Sequence, residues 1–227
     1  MLPLRDRIGF SNIKLFATTS PTFDPSIIDI FLPLSTSGVM IIVPRSIVKS
    51  PNALFNAFLI HQPNFWFMTP SLFSRFSLFQ QKTLINTFQG DLLFGGEPFP
   101  LHVLSMRTLK KNLNEQRLWN IYGTTECSVW ATLFLIPPEW KQNEIPIGDP
   151  LDGISLSIHN EELQIQCGEG CWVGHELERP LIRSTGDLVY EENLCIYWKG
   201  RKDSVVKRFG QRFSLSEIEY VLPQACT

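Results

Sequence analysis

From Ile13 to Ile121 short apolar runs alternate with longer amphipathic ones. An apolar run of strand length fits a strand buried on both faces, and an amphipathic stretch between two such runs fits a crossover helix. The sequence therefore predicts an α/β fold whose parallel sheet draws its strands from residues 14–17, 39–43, 65–68, 92–94 and 118–121. Helices are expected over 25–34 and 51–61. Each opens with a proline, whose missing N–H costs nothing in a first turn, behind a capping candidate, Asp24 or Ser50. Residues 98–113 make the third helix.

Beyond Ile121 the pattern shortens. Residues 154–159, 163–167 and 171–174 are partly alternating and separated by turn residues, as in a small β-barrel. Residues 188–190 and 194–198 flank Glu191-Glu192-Asn193 as a hairpin, and 205–208 and 211–213 flank Phe209-Gly210 as another. A final helix over 214–222 has Ser214 and Glu217 in capping-box spacing and Leu215, Ile218, Val221 and Leu222 on one face. Three units are expected: a parallel α/β part over 1–118, a second part over 119–203, and the start of a small domain over 204–227.

Composition limits the partners. With 44% hydrophobic and 19% charged residues in 227, the chain can bury a real core, and disorder is not expected. A net charge of -2 gives no electrostatic reason for a nucleic-acid or anionic-membrane partner. The first residues carry charge of both signs with no signal-like apolar run, so a cytoplasmic protein is expected. The most apolar window, 27–44, is broken by Asp29, Pro33 and Gly38; it reads as a buried helix, a turn and a strand rather than one membrane span. Cys127, Cys167, Cys171, Cys195 and Cys226 are scattered without a second pair of zinc ligands and are expected as reduced thiols.

Chemistry concentrates at Tyr122-Gly123-Thr124-Thr125-Glu126, which follows an apolar strand. A tyrosine ring can stack on a purine, a threonine hydroxyl can donate to a phosphate oxygen, and a glutamate can hold Mg²⁺. A turn with a solvated acid is an equal reading. Asp187 can accept from both hydroxyls of a ribose and Arg201 can reach a sugar or phosphate oxygen. Their plainer readings are a turn residue after Gly186 and an ion pair with Asp203. Gly95 and Gly96 would let a flat ring approach the backbone, or simply turn the chain.

Taken in order along the chain, these segments resemble the adenylate-forming (AMP-binding) enzyme superfamily. Phe23-Asp24-Pro25-Ser26 is similar to its FDxS segment, and Leu93-Phe94-Gly95-Gly96-Glu97 to the strand end that lies against the adenine. Tyr122 to Glu126 matches YGxTE. Thr185-Gly186-Asp187, Gly200-Arg201-Lys202-Asp203, Val206-Lys207, Gly210, Arg212 and Glu217-Ile218-Glu219 continue the pattern. The resemblance implies an ATP-dependent ligase that makes an acyl-adenylate and passes it to a thiol of coenzyme A or of a phosphopantetheine-bearing carrier protein.

It also implies roles. Thr125 and Glu126 would be catalytic, with Mg²⁺ on Glu126. Gly95, Gly96, Glu97, Asn120, Tyr122, Gly123, Asp187 and Arg201 would hold ATP or AMP. Asp24 would meet the amino group of an amino acid in a pocket of Pro25, Ile28, Phe67, Leu93, Gly95, Ile121, Val129 and Trp130. Phe67 and Trp130 would narrow that pocket toward a short substrate. Asp203 would be the hinge, and Lys207 a small-domain lysine. A fatty-acyl-CoA-synthetase-type ligase and a non-catalytic nucleotide-binding remnant stand as alternatives. The family's phosphate loop and its second lysine have no counterpart in these residues, and losing one such charge-stabilising donor costs on the order of 3 kcal/mol. The chain is accordingly expected to be a fragment, splice form or incomplete gene product, inactive alone and with an apolar face or sheet edge exposed.

Overall fold

The computed structural model describes residues 2–9, 12–107, 116–125, 129–167, 171–173, 176–178, 181–203, 205–208 and 211–214. After a helix α1 (Leu2–Ile8), the chain runs β1 (Lys14–Ala17), α2 (Ser26–Ser35), β2 (Val39–Ile42), α3 (Arg45–Lys49), α4 (Pro51–His61), β3 (Phe65–Met68), α5 (Pro70–Phe73), α6 (Leu78–Thr87), β4 (Gly90–Gly95), α7 (His102–Met106) and β5 (Gln116–Tyr122). Two antiparallel strands, β6 (Thr132–Leu135) and β7 (Asp149–Pro150), complete a seven-stranded sheet of order β2-β1-β3-β4-β5-β6-β7. Its first five strands are parallel, as the apolar runs require. The sheet continues through Pro150, so its strands lie on both sides of residue 118.

Each central strand feeds two cores. Trp66, Met68, Leu92, Phe94 and Leu118 pack with Leu54, Phe55 and Phe58 of α4 and Leu84 of α6. The intervening Phe65, Phe67, Leu93, Trp119 and Ile121 pack on the opposite face with Leu4 and Ile8 of α1 and Ile28 and Leu32 of α2. All residues of β3 and β4 are buried, which accounts for runs without polar alternation. Because these strands are parallel, Met68, Gly95 and Tyr122 all end at one edge of the sheet, where α/β proteins build their ligand sites.

Local chemistry explains which helix expectations hold. Ser50 caps α4 by accepting from the Ala53 N–H at 3.4 Å, with Pro51 in the first turn. Ser77 and Gln80 form a reciprocal capping box on α6. At α2 the expected cap is absent: Pro25 is itself already helical (φ -60, ψ -14), the helix starts at Ser26, and the Asp24 side chain caps nothing. The helix expected over 98–113 is confined to His102–Met106 in the described residues, since Arg107 turns extended and 108–115 lie outside them. Pro98 and Pro100 delay its start. The segment 27–44 does form helix, turn and strand, but it is not buried throughout. Ile27, Ile30, Phe31 and Leu34 of α2 and Val39 and Ile42 of the edge strand β2 are exposed. No helix among the described residues is long and apolar enough to cross a membrane.

The second sheet contains β8 (Ile154–His159), β9 (Glu162–Cys167), β12 (Leu181–Glu192) and β13 (Cys195–Arg201), in the antiparallel order β13-β12-β9-β8. It is an open half-barrel. Asn160-Glu161 and Asn193-Leu194 close its two hairpins with paired positive φ values, the backbone that matches strand twist in a two-residue turn. The strands β10 (Cys171–Val173) and β11 (Glu176–Glu178) pair with each other rather than extending this sheet. The expected last hairpin is present as β14 (Val205–Arg208) and β15 (Gln211–Ser214), whereas the expected helix lies, beyond Ser214, outside the described residues. Cys195 lies in no disulfide.

Asp29 in the first turn of α2 is buried. One carboxylate oxygen accepts from the Thr19 N–H at 3.2 Å and the other has no partner among the described residues. Burial pushes this carboxyl up to about 7 against the smaller pull of Thr19. The protonated acid is therefore the form that the fold prefers, and its contribution is present in full below the unfolded value near 3.9 and lost as pH rises through about 7. An asparagine side chain in this place imitates the protonated acid and should remove the dependence. In urea titrations at pH 5 and pH 8, Asp29→Asn is expected to lose less stability on going to pH 8 than the parent, by on the order of 3 kcal/mol at most. Equal losses would contradict the assignment.

Candidate functional site

At the C-terminal edge of the parallel strands, where the half-barrel meets the sheet, lies a cavity of about 680 Å³. Its floor is Asn120, Ile121, Tyr122 and Gly123 at the end of β5. Gly96, Glu97, Pro98, Phe99 and Leu101, which follow β4, form one wall. Asn143, Glu144, Ile145 and Ile147 form another, and Asp187, Trp198, Arg201 and Asp203 close the end toward the half-barrel.

Asp187 is the centre of that end. Its side chain is 4% exposed, and each of its oxygens is used. The Tyr122 hydroxyl donates to Oδ2 at 2.6 Å, while Trp198 Nε1 and Arg201 Nη1 donate to Oδ1 at 3.1 and 3.2 Å. Burial, then the adjacent Asp187 carboxylate, hold the Tyr122 phenol well above its ordinary value, so it stays a donor. Arg201 is clamped in turn by Asp203, which accepts from its Nε at 2.6 Å and its Nη2 at 2.7 Å, and by the Thr185 carbonyl at 3.3 Å. Asp203, with Asp187 behind it, raises the guanidinium above its usual value. Arg201 thus makes the ion pair with Asp203 and also reaches the Asp187 carboxylate. Gly186 permits this, because it sits at φ +72 and a Cβ there would lie 2.7 Å from Arg201 Nη2.

The nucleotide-motif residues outside this cage have mixed placements. Glu97 spans from the cavity wall to α5, accepting at Oε2 from the Ser71 N–H at 2.9 Å and from its hydroxyl, while Oε1 is buried without a partner among the described residues. Asn120 donates through Nδ2 to the Pro146 carbonyl at 2.8 Å, which holds the 143–147 wall against β5. Gly96 lines the cavity. Gly95 does not; a Cβ there would stand 2.5 Å from Ile121 Cγ2 and 3.0 Å from Trp130 Cη2, so this glycine makes room for protein packing rather than for a ring. Thr125 is exposed beyond the floor, and Glu126 lies outside the described residues.

The residues expected around the acid fall together, but as packed core. Ile28, Phe67, Leu93, Ile121, Val129 and Trp130 belong to one buried cluster, with Phe67 and Trp130 edge to face at 4.9 Å. Of these only Ile121 reaches the cavity. The Trp130 indole N–H is buried without an acceptor among the described residues. Pro25 is buried and Asp24 half-buried in the loop before α2. Lys207 is on β14; its side chain lies outside what is described.

Two features escaped the sequence. Trp198 was hidden by a β-bulge: the register shifts between Leu188 and Val189, so Lys199 is extra and Trp198 shares the cavity face with Arg201. Simple alternation would have put Lys199 there, yet Lys199 points away to Glu161 at 3.0 Å. The 143–147 wall carries no motif. It is fixed from the hairpin by Tyr197, which donates to Gln142 at 2.9 Å, and by Tyr190, which donates to Glu144. Among the described residues no three His, Cys, Asp or Glu side chains converge as a metal site.

Comparison with known proteins agrees with this arrangement. Residues 5–174 match the family described as AMP-binding enzyme. The chain is 34% identical over 230 residues to the human (Homo sapiens) beta-alanine-activating enzyme, covering 91% of this chain and 21% of that one. It is 31% identical over 245 residues to the L-proline--[L-prolyl-carrier protein] ligase of Streptomyces coelicolor, covering 95% of this chain and 45% of the relative. The Vibrio cholerae adenylation domain AlmE, solved with glycyl-adenosine-5'-phosphate, superposes with a TM-score of 0.80 at 23% identity, over 98% of this chain and 47% of that one. The chain thus spans about a fifth of the length of the beta-alanine-activating enzymes it matches. With a parallel sheet and half-barrel meeting at a cavity floored by Tyr122 and closed by Asp187 and Arg201, and with the family match running over 5–174, this chain belongs to the AMP-binding enzyme family.

Proposed function

We propose that the chain is the nucleotide- and acid-binding part of an ATP-dependent ligase that activates a small amino acid as its acyl-adenylate and delivers it to a thiol. The observation that carries this reading is the Asp187 cage. A buried carboxylate backed by Arg201 at the end of a 680 Å³ cavity is suited to hold the sugar of a nucleotide whose base lies over Tyr122. Glu97, Gly96 and Asn120 border the base end.

The acid enters from the other side of β5. Phe67 and Trp130 fill that space, and Gly95 lets Trp130 come close, which favours a short acid over a long acyl chain. Trp130 Nε1, a buried donor without a partner among the described residues, suits an acceptor oxygen of the acid. Asp24, whose carboxylate caps nothing in α2, is available to an amino group. ATP would supply the α-phosphorus that the carboxylate attacks, the α–β phosphoanhydride bond breaking to release pyrophosphate, and Mg²⁺ would neutralise the charge of the phosphates. Mg²⁺ takes most of its ligands from phosphate and water, so a single protein carboxylate, Glu126, is sufficient to anchor it. Thr125 is exposed two residues beyond Gly123 of the cavity floor, and its hydroxyl would donate to a phosphate oxygen. In this reading Asp203 is the hinge at which residues 204–227, with Lys207, begin a small unit. The acceptor is the phosphopantetheine thiol of a carrier protein or coenzyme A, a reading supported by relatives named as carrier-protein ligases.

Calorimetry with AMP tests the nucleotide half. The chain is expected to bind AMP, and D187N, which keeps the shape but loses the charge, to bind it about a hundredfold more weakly. Undiminished binding in D187N would remove Asp187 from the site. Sulfamoyl analogues of the adenylates test the acid half. Glycyl and prolyl analogues should bind more tightly than a dodecanoyl one, and Trp130→Leu should narrow the difference by on the order of tenfold. A dodecanoyl analogue preferred by the parent chain would sink the amino-acid reading.

A further inference from the structure

Asp187 is nearly saturated by the protein itself. A carboxylate offers about four acceptor positions. Trp198 and Arg201 take both on Oδ1, and Tyr122 takes one on Oδ2. One position remains, and a vicinal diol donating through both hydroxyls needs two.

The three donors differ in what their departure would cost. Removing Arg201 strips a buried carboxylate of its counter-ion, and Arg201 is in any case held by Asp203 and the Thr185 carbonyl. Trp198 has a single donor, and its departure would leave a bulged strand to reposition. Tyr122 is neutral, its ring lies on the cavity floor, and Thr185 stands beside its hydroxyl as a further polar neighbour.

We propose that the Tyr122 hydroxyl occupies the place of one sugar hydroxyl and is exchanged for it when a nucleotide binds, which makes this phenol a determinant of how strongly the site prefers ribose to deoxyribose. The exchange rests on the nucleotide reading above. A ribose hydroxyl that replaces the phenol gains little, because one hydrogen bond to the carboxylate is traded for another. A sugar with a single hydroxyl uses the remaining position and leaves Tyr122 where it is. The phenol therefore weakens the advantage of the diol. Removing it should restore that advantage.

The experiment compares AMP with 2′-deoxyAMP on the parent chain and on Tyr122→Phe, which keeps the ring. Y122F is expected to bind AMP about threefold to tenfold more tightly, with 2′-deoxyAMP unchanged, so that discrimination between the sugars rises. Unchanged or weaker AMP binding in Y122F, with the parent still binding AMP, overturns the exchange and leaves the nucleotide reading intact. No AMP binding by the folded parent overturns both. A thermal melt reports whether Y122F folds. Should it not fold, the parent chain labelled with 3-fluorotyrosine decides, its Tyr122 resonance assigned by elimination from Phe substitutions of the other tyrosines. AMP should shift that ¹⁹F signal further than 2′-deoxyAMP does at saturation, and equal shifts overturn the proposal.

Discussion

A single buried carboxylate joins the two sheets. Asp187 lies on β12 of the half-barrel, and it takes donors from its neighbour β13 and from Tyr122 at the end of β5 in the parallel sheet. A carboxylate this deeply buried is tolerable only when it is paired and hydrogen-bonded, and here Arg201 and the two aromatic donors supply both. Much of the local backbone serves to bring them together: the positive φ of Gly186 clears Arg201, and the bulge after Leu188 turns Trp198 inward. The contact from the Ile147 N–H to the Ile196 carbonyl at 2.8 Å braces the same junction. The cavity is the space left between elements held at that distance.

Much of this was legible before the fold was known. Strands at 14–17 and 65–68 are where the apolar runs put them, because a strand buried on both faces has few polar residues to blur its limits. Tyr122, Asp187 and Arg201, singled out in the sequence and separated along the chain by 65 and then 14 positions, converge on one carboxylate. What was illegible has physical reasons. Alternation gives the facing residue only while the register is regular, so the bulge concealed Trp198. Asp24 before a proline resembles a cap, yet Pro25 had already turned helical and the carboxylate was left out of reach of the first N–H groups. Gly95 and Gly96 look alike in sequence, but only one faces the cavity while the other admits Trp130. The 143–147 wall is positioned by tyrosines some 50 residues further along, a relation no local pattern carries.

The two halves of the proposed site are built to different degrees by the described residues. The sugar end has fixed polar geometry, with every donor to Asp187 itself held by a second contact or a strand position. The acid end is apolar and filled: Phe67, Leu93 and Trp130 pack against one another, Trp130 Nε1 has no partner among the described residues, and the Asp24 carboxylate caps nothing. In the proposed reading an acid would have to displace side-chain volume, whereas a nucleotide would meet a space that already exists.

That difference extends to what supports each half. The residues around the cavity stand at the end of β5, in the loop after β4, in the 143–147 wall tied to Asn120 and the hairpin tyrosines, and on the half-barrel hairpin, so their positions follow from contacts within the described residues. The acid end leans through Ile28 on α2, whose other face presents Ile27, Ile30, Phe31 and Leu34 to solvent beside the edge strand β2. A helix buried on one side only is held less firmly than one enclosed on both, because few contacts oppose its outward displacement. In the proposed reading, selectivity for the acid would rest on the close packing of Gly95, Phe67 and Trp130 and would therefore be the property most sensitive to the firmness of α2. Recognition of the nucleotide would rest instead on the junction at Asp187, whose donors are all in place among the described residues.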